Sequence, residues 1–328
     1  MQTKRQTIKA IGALALTVGL VGAGTSAASA QTYPTRDITF VVAFSPGGVA
    51  DTVARLVGQG LGAKLGHTVV VENRGGAGGN IAAAAVARAN ADGYTLLVTT
   101  TALAINETLR QNKGFTAADF KTVAIVASSP ESLVTSASNP AHNLAEFLSA
   151  AKTDTLNYGT AGVGSGSHIA AEYFFSKIAH IKAQHIPFQG GAPAMNATIG
   201  NQIDLLATTL GGGAAAQIAA GKLKGLGVAS AKRVSVVPNV PTYAEAGYPK
   251  FEASSWVGIF APAKTDPAIV VKLNAAVEEA MKDPALVGRL TSIGFDPMHN
   301  TQSEADRYFR SEVGTWGKMV KALGLSIK

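Results

Sequence analysis

The sequence predicts an exported α/β protein with two doubly wound lobes and a cleft between them. Three observations lead to this fold class. Apolar strand-like segments alternate with helical segments, glycine-rich turns join them, and a leader precedes the first strand.

The leader has the three parts of a secretory signal peptide. Lys4, Arg5 and Lys9 give it a cationic start, an apolar run follows, and Ala28-Ser29-Ala30 is a small-residue cleavage site. We therefore expect cleavage after Ala30 and a mature chain that begins at Gln31. The whole chain carries a net charge of +7. Removing the three leader cations lowers this to about +4, a modest balance that indicates no nucleic-acid partner.

The first lobe is predicted from residues 31–130 and 251–328. Its strands are nearly continuous apolar runs, which is typical of parallel strands that are buried on both faces. The predicted elements are strand Ile38–Phe44, a helix through Val53–Leu65, strand Thr68–Val71, a helix from Asn80 and strand Tyr94–Val98. The later part of this lobe is predicted to be strand Ser255–Phe260 and helices Pro267–Lys282, Pro284–Ile293 and Ser303–Leu323.

The second lobe is predicted from residues 131–250, where the same alternation repeats. The elements are helix Asn143–Lys152, strand Leu156–Tyr158, helix Ser167–Ile178, strand Ala183–Ile186, helix Ala192–Ile199 and strands Ile203–Ala207 and Lys222–Ala229. Val123–Leu133 and Phe251–Phe260 are the predicted crossings between lobes. Two such lobes leave a cleft where the carboxyl ends of their strands face each other.

The motifs of common enzymes and cofactor sites do not occur. There is no G-x-S-x-G, P-loop, H-E-x-x-H or helix-opening G-x-G-x-x-G pattern. The chain has no Cys, and its six His residues include no pair four apart, so disulfides are excluded and no metal site is expected. We therefore expect a binding protein without a cofactor rather than an enzyme.

Two glycine-rich turns between a strand and a helix are the strongest candidates for a binding site. Each places backbone N–H groups at the positive end of a helix, where an anion can be held without Arg or Lys. A tight turn needs glycine anyway, so either turn alone has a structural explanation, but two turns in two lobes favour a two-sided anion clamp. The candidates are Phe44, Ser45, Pro46, Gly47, Gly48 and Asp51 in the first, and Thr160, Ala161, Gly162, Val163, Gly164, Ser165 and His168 in the second.

Several candidates have two interpretations. Asp51 either caps its helix or contacts the ligand. Ser165 and His168 fit capping and ligand hydrogen bonding better than a nucleophile and its base, because no third group is seen to orient the His. Asn80, Thr101 and Asp204 are further candidates for contact with the ligand.

From residue 33 to the C-terminal helices the chain resembles the Bug family, the receptors of tripartite tricarboxylate transporters. The motifs that carry the resemblance are Phe44-Ser45-Pro46-Gly47-Gly48 with Asp51, Val71-Glu72-Asn73-Arg74, Gly76-Ala77-Gly78-Gly79-Asn80-Ile81, Asp92-Gly93-Tyr94-Thr95-Leu96, Gly162-Val163-Gly164-Ser165 with His168, Pro187–Ala194, Val240-Pro241-Thr242 and Trp256-Val257-Gly258. The chain departs from the family's pattern at Gln189, Asn201 and Lys113-Gly114-Phe115.

The resemblance implies a periplasmic receptor of the type II binding-protein fold, whose lobes close on a small organic carboxylate. It also implies integral-membrane transporter subunits as partners, and we expect a monomer. Two alternatives stay open: a ligand sensor that docks on a sensor kinase, and an exported α/β hydrolase that uses Ser165. The residues do not identify the ligand, because mono- and dicarboxylates, aromatic acids and acidic amino acids all suit a backbone-lined anion site.

Overall fold

Two mixed sheets that share one long strand form the framework. The computed structural model describes residues 33–150, 156–249 and 251–327; the predicted signal peptide, Gln31 and the predicted helix end at Lys152 lie outside them. The strands are β1 (Ile38–Val42), β2 (Val69–Asn73), β3 (Thr95–Thr100), β4 (Phe120–Ser136), β5 (Leu156–Thr160), β6 (Ala183–Pro187), β7 (Leu205–Thr209), β8 (Leu223–Val228), β9 (Ser254–Pro262) and β10 (Asp296–Pro297).

The helices fill the intervals and cover the faces of the sheets. They are α1 (Val49–Leu65), α2 (Asn80–Ala87), α3 (Ala102–Leu109), α4 (Leu144–Ala150), α5 (Gly166–Tyr173), α6 (Gly191–Ile199), α7 (Ala215–Ala219), α8 (Pro267–Met281), α9 (Pro284–Ser292) and α10 (Gln302–Leu323). π-Helical turns at Phe174–Ala179 and Leu210–Ala214 extend α5 and precede α7.

The helix ends follow the local sequence. Asp266 caps α8 and Asp283 caps α9, and in both a proline takes the first helical position, where its missing N–H costs nothing. Thr301 and Glu304 form a capping box at the start of α10. Gly66 ends α1 in the left-handed conformation that an L side chain resists.

The first sheet has the strand order β2-β1-β3-β9-β4, with β10 on the other edge of β4. β1 pairs in parallel with β2 and β3, whereas β9 runs antiparallel to β3 and β4. The second sheet has the order β8-β4-β7-β5-β6, with β5 parallel to both its neighbours. β4 is antiparallel to β7 and β8.

The predicted α/β fold with two lobes is confirmed, but the sheets are mixed rather than parallel. β4 and β9, which run through the two predicted crossings, carry the antiparallel pairings. A crossing strand enters a sheet from the other lobe rather than through a local helix, so it need not run with its neighbours.

β4 changes partners in its middle. Its residues 120–130 pair with β9, and from Glu131 onward β4 pairs with β7 on one edge and with β8 on the other. The predicted lobe boundaries at residues 130/131 and 250/251 remain a prediction, because residues 34–328 pack as one compact unit. The point of exchange lies beside the candidate site.

Candidate ligand-binding site

A pocket lies where the carboxyl ends of β1, β5 and β7 approach one another. It is lined by six of the predicted residues: Phe44, Ser45, Pro46, Gly48, Ala161 and Ser165. The structure adds Val49, Ala50, Thr100, Gly166, Ser167, Gly190, Gly191, Ala192, Pro193, Thr208, Thr209, Gly212 and Ser255. We call this the main pocket; none of the described residues that line it is charged.

The first turn, Phe44–Gly48, leads from β1 into α1. Gly47 has a φ of 78°, and its N–H donates to the Asp51 carboxylate at 2.9 Å. Arg55 forms an ion pair with the same buried carboxylate at 2.9 Å. Burial alone would raise the pKa of Asp51, but the hydrogen bonds from Arg55 and Gly47 outweigh it and hold the pKa below its usual value. Asp51 is therefore ionised, and its carboxylate is paired with the Gly47 N–H and with Arg55.

The free donors of this turn are the backbone N–H groups of the first residues of α1. Thr52 donates the first helical bond, to Gly48 O, so the N–H groups of Val49 and Ala50 have no partner among the described residues. Both residues line the main pocket. An anion there would meet unpaired donors at the positive end of α1.

The second turn, Ala161–Ser165, leads from β5 into α5. Gly164 has a φ of 88°, and its N–H donates to Nδ1 of His168 at 3.3 Å. Ser165 Oγ donates to Gly162 O at 2.7 Å and accepts from the backbone N–H of His168 at 3.2 Å. As in the first turn, the glycine N–H is already bonded, and those of Gly166 and Ser167 have no partner among the described residues.

His168 is held neutral behind the second turn. Its ring stacks on His185 with 4.1 Å between centroids, and the second ring bonds to Thr160 Oγ at 2.6 Å. Burial lowers the pKa of His168 to about 3, with the neighbouring His185 as the smaller cause, and burial lowers the pKa of His185 to about 4. Among the described atoms, no hydrogen bond joins Ser165 Oγ to the His168 ring, so the Ser–His contact that the hydrolase alternative needs is not formed.

A third turn, Phe188–Gly190, was not selected from the sequence. It leads from β6 into α6, and Gly190 takes a φ of 127°. The N–H groups of Gly191 and Ala192 have no partner among the described residues, and both residues line the main pocket. The signal was present in the sequence: Gly190-Gly191 follows a predicted strand and precedes a predicted helix, as in the other two turns.

The floor of the main pocket is a chain of buried hydroxyl groups around a carboxyl. Ser255 Oγ lies 3.0 Å from Thr101 Oγ and donates to Glu131 at 2.5 Å. Thr209 Oγ donates to the same carboxyl at 3.3 Å. Burial raises the pKa of Glu131 to about 7, against the opposing effect of the two hydroxyl donors. A lone Glu in the predicted crossing carried no signal that would place it beneath the main pocket.

Contacts across the pocket tie the turns together. Ser45 Oγ donates to Gln189 O at 3.0 Å, which joins the first turn to the third. A Cβ at Gly164 would lie 2.6 Å from Asn106 Oδ1 of α3, and a Cβ at Gly78 would lie 2.6 Å from Val163 O. These glycines therefore allow segments of the two sheets to approach closely.

The family follows from comparison with known proteins. The model of the tripartite tricarboxylate transporter family receptor (TctC) matches residues 53–325. BugT of Bordetella pertussis is 34% identical over 315 residues, which cover 92% of this chain and 93% of BugT. The chain belongs to this receptor family.

Solved structures of similar proteins show the receptor fold with small acids. Rpa4515 of R. palustris, described with adipate, is 32% identical with a TM-score of 0.85 over 90% of this chain and 99% of its own. MatC from Rhodopseudomonas palustris, described with bound malate, is 34% identical with a TM-score of 0.82 over 88% and 100%. The receptor is therefore a solute-binding protein of the TctC/Bug type.

Some predicted residues of the receptor lie away from the main pocket. Gly162 and Val163 line a neighbouring cavity. Thr101 belongs to the hydroxyl chain of the floor but does not line the pocket, and Thr160 and His168 support the second turn. Asn80, the first residue of α2, is buried outside the set that lines the main pocket.

Asp204 lies away from the main pocket. It immediately precedes β7 (Leu205–Thr209), and its carboxylate accepts from the N–H of Asn157 at 2.9 Å. The pocket takes Thr208 and Thr209 from the opposite end of the strand. At about 3.3 Å per residue, the two ends are roughly 15 Å apart.

The described residues of the receptor contain neither a candidate metal cluster nor a candidate membrane-spanning helix. No group of three or more His, Cys, Asp and Glu side chains there could hold a metal ion. No described helix is both long and apolar enough to span a membrane.

Proposed function

We propose that this protein is a periplasmic receptor that captures a small organic carboxylate between its lobes and delivers it to the membrane subunits of a tripartite transporter. One observation carries the ligand class. Three helix starts place residues with unpaired backbone N–H groups in the lining of one pocket, and no described residue that lines it is charged. Such donors suit a carboxylate, because the helix dipoles favour negative charge without a cationic side chain.

The comparisons support the same ligand class and the transport role. Two relatives that share the fold at 32% and 34% identity are described with adipate and with malate, which are both dicarboxylates. The name of the matching family supports delivery to a membrane transporter. The leader supports export to the periplasm, with cleavage after Ala30.

A thermal-shift screen tests the ligand class. A ligand at 100 times its dissociation constant stabilises by about 2.7 kcal/mol, and each kcal/mol moves the midpoint of a protein this size by roughly 2–4 °C. We expect a shift of about 5–10 °C with at least one aliphatic mono- or dicarboxylate, confirmed by calorimetry. Stabilisation by nucleotides or metal ions alone would contradict the proposal.

Export and delivery need separate experiments. N-terminal sequencing of protein from the periplasmic fraction should give Gln31 as the first residue, and retention of Met1 on periplasmic protein would contradict the leader assignment. Uptake of the identified acid by cells should stop when the gene for this receptor is deleted. Unchanged uptake, with the transporter subunits present, would count against the delivery role.

A further inference from the structure

A second cavity adjoins the main pocket. It has a volume of about 240 Å³, and Phe44, Ser45 and Ala161 line both spaces. Its other walls include the glycine loop Gly75–Gly79 and the third turn. We call it the side cavity.

Arg110 supplies the one charged side chain among the described residues that line the side cavity. It follows α3 directly, and its main chain is fixed by a bond from its N–H to Asn106 O at 3.3 Å and by a bridge to Ile327. The backbone position is therefore anchored at two points. The guanidinium can face the cavity without depending on a flexible loop.

The guanidinium of Arg110 has no partner among the described residues. Its Nε is buried without a hydrogen bond, and no carboxylate lies within ion-pair distance. Burial lowers the pKa of Arg110, and no neighbouring acid acts in the opposite direction. A partly buried cation without a counter-charge costs free energy that an anion would recover.

The guanidinium of Arg110 differs from those of five other arginines, which form ion pairs. Ion pairs with a carboxylate at 2.7–3.0 Å are formed by Arg36, Arg55, Arg74, Arg233 and Arg310. Arg110 lacks such a partner although it is more deeply placed than the half-exposed Arg74. Among the described residues, none supplies a carboxylate or a hydrogen-bond acceptor to the guanidinium of Arg110.

We propose that Arg110 and the side cavity form a second carboxylate subsite, so that the receptor recognises two carboxylates rather than one. This inference rests on the proposed function, because it places the first carboxylate in the main pocket. The second carboxylate is either the distal end of a dicarboxylate or a separate small acid. Arg is well suited to it, since its planar guanidinium donates two parallel hydrogen bonds to a carboxylate.

Matched pairs of acids test the subsite. Adipate and hexanoate, and succinate and butyrate, have equal chain lengths and differ in the second carboxylate. Calorimetry should show that Arg110→Gln weakens binding of the preferred dicarboxylate roughly tenfold or more, whereas binding of its monocarboxylate partner changes less than about twofold. Arg74→Gln, which removes a half-exposed arginine paired with Glu72, is the control and should affect neither.

A second experiment distinguishes the two sources of the carboxylate. Acetate is titrated into protein saturated with the monocarboxylate. Acetate binding in the wild type that is lost in Arg110→Gln supports a separate acid, whereas selective loss of dicarboxylate affinity supports a single long ligand. Without either effect the subsite is refuted.

Folding is checked on the ligand-free proteins. Because Arg110 has no counter-charge, Arg110→Gln should leave the melting midpoint unchanged or raise it. A large fall, with equal weakening of both acids in a pair, would show a structural role and overturn the subsite. If no carboxylate stabilises the wild type, the proposed function fails instead.

Discussion

In the turn after β1 the N–H of Gly47 donates to Asp51, and in the turn after β5 the N–H of Gly164 donates to His168, four residues on in both cases. The acceptors differ. Asp51 is ionised and balanced by Arg55, whereas His168 is buried and neutral. The two turns thus share a glycine with positive φ, whose N–H is bonded to a charged side chain in the first turn and to a neutral one in the second.

In the simplest anion clamp the N–H groups of the turn glycines would themselves meet the anion. Both turns differ from that arrangement. Gly47 and Gly164 provide the positive φ that each turn needs, but their N–H groups are bonded internally. The unpaired donors belong to the following helix residues, such as Val49 and Gly166. The glycines therefore shape the turns, and the helix starts supply the donors that the proposed function assigns to the carboxylate.

The largest expected effect separates the two glycines. Gly164→Ala should destabilise the protein by about 2–5 kcal/mol, because a left-handed backbone costs about 1–2 kcal/mol and the Cβ meets Asn106 Oδ1. Gly47→Ala has the same strain but open space around the Cβ, so about 1–2 kcal/mol is expected. Urea denaturation measures both losses of stability. Equal losses would show that the contact of the added Cβ at position 164 with Asn106 does not matter.

The buried, neutral histidines behind the second turn predict that the stability of the fold falls in acid. Below pH 6.5 the unfolded chain takes up protons that the buried His168 and His185 refuse until pH 4 or lower. Stability present above pH 6.5 should therefore fall as the pH is lowered to about 4, by on the order of 3 kcal/mol for the deeply buried His168 and by a further amount for His185. Urea midpoints should show a flatter profile in this range for the double variant His168→Gln/His185→Gln.

Asp51→Asn is the matched control in the first turn, where the acceptor is charged. The pKa of Asp51 is held below its usual 3.8, so its contribution is present above that value and is lost only in stronger acid. The slope between pH 6.5 and 4 should stay as in the wild type. A flattened slope in Asp51→Asn would mean that the wrong turn had been assigned the acid response.

Glu131, which lies beneath the second turn, predicts that stability changes with pH in the opposite direction. Its folded pKa of about 7 exceeds its usual 4.5, so its stabilising effect is full below pH 4.5 and is lost as the pH rises through 7. The loss should be on the order of 2–3 kcal/mol. Unfolding of Glu131→Gln between pH 5 and 8 should lack this decline, while the exposed Glu72→Gln should keep it.

Most elements could be predicted because their apolar patterns are local. β1, β2, β5 and the three C-terminal helices appear close to their predicted bounds. β4 was predicted only as a crossing, since Ser128-Ser129-Pro130-Glu131 interrupts its apolar run, and α3 was not predicted. The pairing that makes β4 a 17-residue strand comes from the tertiary structure.

Glycine turns marked part of the main pocket in the sequence, whereas its other walls are brought together only by tertiary contacts. Six residues of the first two turns line the main pocket, whereas Asp204 immediately precedes β7, at the opposite end of that strand from Thr208 and Thr209 of the pocket. Ser255, Glu131 and Thr209 meet from three distant segments. No local pattern could have grouped them.

The smallest effect concerns the helix caps of the two turns. Ser165 caps α5 through its side chain, whereas Gly48 caps α1 with an extended φ of −82° and no side-chain bond. Ser165→Ala should cost about 1 kcal/mol, and Gly48→Ser should gain only a few tenths, since glycine is nearly as good a cap. A Cβ at Gly48 lies 3.4 Å from Ser45 O, which leaves room for the serine.

Urea denaturation of the single variants and of the double variant decides whether the caps act independently. The turns lie on different helices, so the two changes should add within about 0.5 kcal/mol. Ligand affinity gives a second measurement, because the Gly48→Ser side chain enters the main pocket beside the donors of α1, whereas Ser165→Ala removes one hydroxyl from its wall. A destabilising Gly48→Ser would indicate that the first turn, like the second at Gly164, tolerates no added atoms, and the contrast between the turns would then rest on charge alone.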